Sequence, residues 1–132
     1  MSARSKARKE ALDLLYEADI RKVDPATLLE KRAAGEMREF ASEILTMVDD
    51  HRRKIDELIS TYARGWDMDR MPAVDRNILR IAIAELIWSA QVPEAVAISE
   101  ALDLAKELST EESASFIHGV LAQIAPLKTS LA

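Results

Sequence analysis

Along almost the whole chain, apolar residues recur three and four positions apart, the spacing that places them on one stripe of an α-helix. Valines and aromatics never alternate with polar residues as a half-buried strand requires, so helices should account for nearly all ordered structure. The first predicted helix, Ala3 to Ile20, carries Ala7, Ala11, Leu14, Leu15 and Ala18 on its stripe. Asp24 before Pro25 reads as an N-cap with proline at the first helical position, and Lys31, Arg32 and Gly35 should close a short second helix. From Glu36 to Gly65 the residues Phe40, Ile44, Met47, Val48, Ile55, Leu58, Ile59 and Tyr62 keep helical phase, thinned at Asp49, Asp50 and His51. One long helix or two nearly collinear ones would satisfy that pattern.

After a loop from Trp66 to Met71, Pro72 opens a segment whose polar strip is only Arg76, Asn77, Arg80 and, off to one side, Glu85. A helix so nearly apolar all round belongs at the centre of a bundle. Pro93 precedes a helix from Val96 to Leu108. Ser109 and Glu112 have capping-box spacing for a last helix that Pro126 should stop after Ala125, leaving Leu127 to Ala132 frayed. The expected fold is all-α, a single-domain compact bundle of about six to seven helices over residues 1–132.

Composition narrows the function classes. At 132 residues with 48% hydrophobic content, one domain of ordinary core size is expected. The chain has no cysteine, which rules out disulfides, thiolate nucleophiles and cysteine-bearing zinc sites, and accords with a cytoplasmic setting. No stretch approaches the roughly 18 consecutive apolar residues of a membrane span, and no apolar run follows the charged start, so a soluble, unexported protein is expected. Within the net charge of −5, residues 1–9 hold Arg4, Lys6, Arg8 and Lys9 and no acid. Beyond residue 80 only Lys106 and Lys128 oppose Glu85, Glu94, Glu100, Asp103, Glu107, Glu111 and Glu112. One end suits a polyanion and the other a basic partner.

Catalytic chemistry finds little to work with. Adjacent helical residues point in different directions, so Asp49, Asp50 and His51 read as a solvated charge run rather than metal ligands. His118, beside the apolar stripe of the last helix, reads as a hydrogen-bonded structural histidine. Neither a catalytic set, a metal site nor a cofactor is expected. The basic start is the better candidate. Arg4 and Arg8 lie four apart and stack on one helical face with Lys6 and Lys9 flanking, an arrangement for a phosphate backbone, although a solubilising tail would carry the same charges. Tyr16, two turns from Lys9, has the chemistry to stack on an unpaired base. On the last helix Phe116 falls beside Glu112 and Gln123 rather than on the buried stripe of Ile117, Val120, Leu121 and Ile124. It is either a binding anchor or a residue packed under a neighbour.

Three segments together resemble the NusB family. Arg4-Ser5-Lys6-Ala7-Arg8-Lys9-Glu10-Ala11-Leu12, running on to Leu15-Tyr16, is similar to its basic opening helix. Met71 to Leu86, in which a proline and an acid lead into Ile78-Leu79-Arg80 and then Glu85-Leu86, is similar to its most recognisable stretch. Val92-Pro93, Val96 to Ala101, Leu104-Ala105-Lys106 and Phe116-Ile117-His118-Gly119-Val120-Leu121 follow its C-terminal signature in order and spacing. The resemblance covers essentially the whole chain. It implies an all-helical, non-enzymatic adaptor in processive transcription antitermination. Such an adaptor pairs with NusE, a small-subunit ribosomal protein, and binds the single-stranded boxA element of nascent RNA, ribosomal transcripts included, alongside RNA polymerase and other Nus factors. By position it implies RNA contacts at Arg4, Lys6, Arg8 and Lys9, supplemented by Tyr16, and NusE contacts at Asp75, Glu112, Ser113 and Phe116.

The sequence also departs from the family pattern. Ser5 interrupts what is often a denser arginine cluster, which implies weaker RNA binding without NusE, while Ser99 and His118 stand where asparagine is common. Some members self-associate, and a homodimer stays open here. Two other classes compete: a helical interaction or homodimerisation module without RNA binding, and the helical domain that precedes the catalytic domain of some RNA cytosine methyltransferases.

Overall fold

The computed structural model describes residues 2–32 and 35–131, and among them every regular element is helical. Helix α1 (Ala3–Arg21) begins where the Ser2 hydroxyl accepts the Ser5 N–H at 3.0 Å, and it ends at Lys22, whose φ of 56° turns the chain out of the helix. Its expected stripe of Ala7, Ala11, Leu14, Leu15 and Ala18 is buried, with Leu12 beside it. Helix α2 (Pro25–Glu30) is capped by Asp24, which accepts the Ala26 N–H at 3.0 Å, but it stops at Glu30, short of the basic pair and glycine expected to close it. Gly35 instead takes a φ of 84° beyond the helix.

The long apolar phase after residue 36 resolves into two helices, α3 (Glu39–Asp50) and α4 (Arg52–Tyr62), broken at His51. Asp49 and Asp50 are exposed as expected, whereas the His51 ring lies parallel to the Trp88 indole, with centroids 3.9 Å apart and an interplanar angle of 3°. This stack pins the junction of α3 and α4 to the end of the next helix.

Helix α5 (Ala73–Trp88) is the expected centre and packs against α1, α3 and α4. Its far side meets α6 (Glu94–Leu108) and α7 (Glu111–Ile124). Burying a helix on all sides is costly for its polar groups unless each finds a partner. Here the partners come from surrounding helices. Arg76, Asn77 and Arg80 all donate to Asp19 Oδ2, at 2.8, 2.9 and 3.2 Å, and Arg80 also reaches Asp56 of α4 at 2.9 Å. Burial pushes the Asp19 carboxyl upward, but the hydrogen bonds from Arg76 and Asn77 and the charges of Arg76 and Arg80 outweigh it and hold the carboxyl below its ordinary value.

Two expectations at the C-terminal end are corrected. The cap of α7 is Thr110, whose hydroxyl accepts the Ser113 N–H at 2.9 Å, one residue later than the Ser109 and Glu112 box. Pro126 does not end regular structure. It sits in a 3-10 turn (Ala125–Leu127) that leads into a short helix, α8 (Lys128–Leu131), packed on α5, so the tail is folded back as far as Leu131. Ala132 lies outside the described residues.

Candidate nucleic-acid interface and partner cavity

The four N-terminal cations occupy three environments. Arg4 and Arg8 do share a helical face, but that face is turned toward α3: their guanidinium carbons lie 4.7 and 5.2 Å from the centroid of the Phe40 ring. Arg8, one turn further in, is only 2% exposed and forms a two-pronged ion pair with Glu85 of α5, at 2.7 and 2.8 Å, with Glu100 3.4 Å away. The expectation that Arg8 meets a phosphate backbone is therefore corrected. A wheel gives its angular position but not the acid that comes from the central helix to meet it. Glu100 is held in turn by the Ser5 hydroxyl at 2.7 Å.

Lys9 projects outward and pairs with Glu107 of α6 at 2.8 Å, and that hydrogen bond and charge raise its ammonium above the ordinary value. Lys6 and Arg4 are exposed and have no ion-pair partner among the described residues. Tyr16 is 41% exposed and shares the outward face with Lys9, on the same side as Asp13. Phe40, which reads in the sequence as one more apolar-phase residue, is half-buried under Arg4 and was missed as part of this edge.

The other candidate residues converge. Asp75, Glu112, Ser113 and Phe116 line one cavity of about 350 Å³ between the start of α5 and the start of α7, together with Trp66, Met71 and Pro72. Asp75, in the first turn of α5, is 3% exposed; its Oδ2 accepts the Ser113 hydroxyl at 2.8 Å, while its Oδ1 has no hydrogen-bond partner among the described residues. Ser113 is itself tied to the Ser109 and Thr110 hydroxyls at 2.9 and 3.0 Å. Phe116 is half-buried and meets the Trp66 ring at 5.8 Å, tilted by 51°, and Trp66 is 47% exposed. The sequence reading missed Trp66. Its signal was a large aromatic between Gly65 and Asp67, at the start of a loop rich in charged residues.

His118 is exposed and makes no side-chain hydrogen bond among the described residues, so the structural role expected of it is also corrected. Among the described residues no group of three histidines or carboxylates is arranged to hold a metal ion, and no helix is long and apolar enough to cross a membrane.

The NusB family model matches residues 5–126. A transcription antitermination protein NusB of Thermobifida fusca is 49% identical, over 98% of this chain and 93% of its own length. Among solved structures, the NusB of T. maritima superposes with a TM-score of 0.83 at 32% identity, covering 95% of this chain and 92% of the other. The NusB of a complex of antitermination factors NusB and NusE with double-stranded RNA superposes with a TM-score of 0.79 at 28% identity, covering 93% and 96%.

Proposed function

The chain belongs to the NusB family of transcription antitermination proteins, and on that premise we propose that it is an adaptor that docks NusE in the α5–α7 cavity and holds boxA-type RNA along the exposed edge of α1. The observation that carries this reading is the cavity: four residues implied as partner contacts line one hollow, with two aromatic rings at its wall and a buried carboxylate oxygen that has no donor among the described residues. A buried acceptor left without a partner is costly, and a donor from a docked protein removes that cost. The aromatic pair supplies apolar area of the kind that anchors interfaces. Acids outnumber bases along α6 and α7, which suits a basic ribosomal protein.

RNA binding rests on fewer charges than the sequence suggests, because Arg8 is buried and Lys9 is paired. Arg4, Lys6 and the face carrying Lys9 and Tyr16 make a modest surface. It gains effective concentration when NusE contacts the same RNA, so the pair binds more tightly than either protein. Presentation of the RNA to elongating polymerase with other Nus factors, and service to ribosomal RNA operons, belong to the same proposal.

Calorimetric titration of NusE into the chain tests the docking half. Wild type should bind, and Phe116→Asp, placing a carboxylate against Trp66, should abolish binding while the helical circular dichroism stays intact. Unchanged pairing in a folded Phe116→Asp protein would remove the cavity from the reading. The second reading, an interaction module without RNA binding, is favoured by the pairing of Lys9 with Glu107, and it would leave the NusE complex indifferent to RNA.

A further inference from the structure

Of the two N-terminal cations that stay exposed without an ion-pair partner among the described residues, Arg4 is the one whose surroundings a simple phosphate contact does not account for. Its guanidinium carbon stands 4.7 Å from the Phe40 centroid, inside the range of a cation–π contact, and it has no carboxylate partner among the described residues. One terminal nitrogen donates to Gln91 Oε1 at 3.5 Å, a long bond that orients the group without satisfying it. Phe40 is in turn fixed from below: it packs against the core at the start of α3, and Arg8, locked to Glu85, lies 5.2 Å from the same ring. An exposed arginine ordinarily samples many rotamers. This one has a ring beneath it and a side-chain acceptor beside it, while the residue as a whole stays open to solvent.

A guanidinium differs from an ammonium in being planar and delocalised, so it stacks on flat π-systems as well as attracting charge. Unpaired RNA bases are bound by such stacking on aromatic rings and arginine planes, and pre-ordering the plane reduces the entropy lost on binding. We propose that Arg4, seated on Phe40, is a stacking platform for one unpaired base of the RNA, so that Phe40, guanidinium and base form a three-layer pile with Lys6 left to neutralise the backbone. This rests on the RNA reading above and adds a base-binding position and a supporting residue, Phe40, to it.

The test is binding of single-stranded boxA-like RNA by the complex of the full chain with NusE, over a salt series, for wild type, Arg4→Lys, Arg4→Ala and Phe40→Leu. Arg4→Lys keeps the charge and loses the plane, so affinity should fall about tenfold at every salt concentration with the salt slope unchanged. Phe40→Leu should weaken binding in the same slope-neutral way, by a smaller factor. Arg4→Ala should lose affinity and also flatten the slope by about one charge. RNAs with one base deleted at successive positions give a readout that a merely structural role would not move. At one position, base deletion should weaken wild type but leave Arg4→Lys unaffected, and this surface variant does not depend on how Phe40→Leu folds. If Arg4→Lys binds as wild type and no position shows that coupling, Arg4 is a phosphate contact only and the platform is overturned while the RNA reading stands. If wild type itself shows no salt-dependent RNA binding, both fall together.

Discussion

At the N-terminal edge, four cations that stand almost side by side in the sequence end in three environments, one buried, one paired across to α6 and two exposed. At the α5–α7 cavity the reverse happens, and residues as far apart as Trp66 and Phe116 line one hollow. The difference lies in what each surface asks of the bundle. Charge on the first helix is sorted by the acids of helices packed against it, so net charge in sequence overstates what a polyanion meets. A cavity is made by element ends meeting in space, so sequence understates it.

Breaking the buried pair should have the largest effect. Removing one partner of a buried ion pair leaves an uncompensated charge, and Arg8→Met should cost about 3–5 kcal/mol in urea unfolding. Replacing both residues, Arg8→Met with Glu85→Met, should restore most of that loss; a neutral single variant would mean that the pair carries no structural weight.

At the cavity, Trp66→Ala should weaken NusE pairing by roughly 2 kcal/mol, or about thirtyfold, with little change in stability, since the ring is half exposed and faces Phe116. Binding of NusE unaltered by this change would confine the interface to the α7 side.

A pH effect follows from Asp19. Its folded-state carboxyl lies below the ordinary value of about 3.9, so it contributes stability that is fully present above that value and is lost as pH falls through the folded value. The urea midpoint of wild type should drop on acidification below about pH 4, and Asp19→Asn, already weaker at neutral pH, should show a shallower drop. Parallel curves for the two proteins would contradict the assignment.

The smallest effect is expected at the exposed pair. Glu107→Gln frees Lys9 and should leave the urea midpoint unchanged while modestly strengthening RNA binding and steepening its salt dependence. No gain in RNA affinity would remove Lys9 from the RNA surface.

Much of the bundle could be read from the chain because helical periodicity is a local property. The start of α1, the Asp24 cap and the central position of α5 all follow from residues within a turn or two of each other, whereas the thinned stripe at Asp49 to His51 fitted one helix as well as the two that form. What could not be read depends on distant partners. Glu85 stood at the side of its polar strip without indicating that Arg8 would meet it, and Phe40 gave no hint of an arginine above it. The tail misled for a different reason. Pro126 does interrupt α-helical hydrogen bonding, but it suits the 3-10 turn that carries the chain on into α8 against α5.

The proposed adaptor role needs two surfaces to act on one RNA, and its most direct test is titration of fluorescent boxA-like RNA with the protein, with NusE and with both, across a salt series and against a scrambled RNA. The predicted result is tight, salt-dependent, sequence-selective binding that requires both proteins. Equal binding of both RNAs, or none, in every mixture would contradict it.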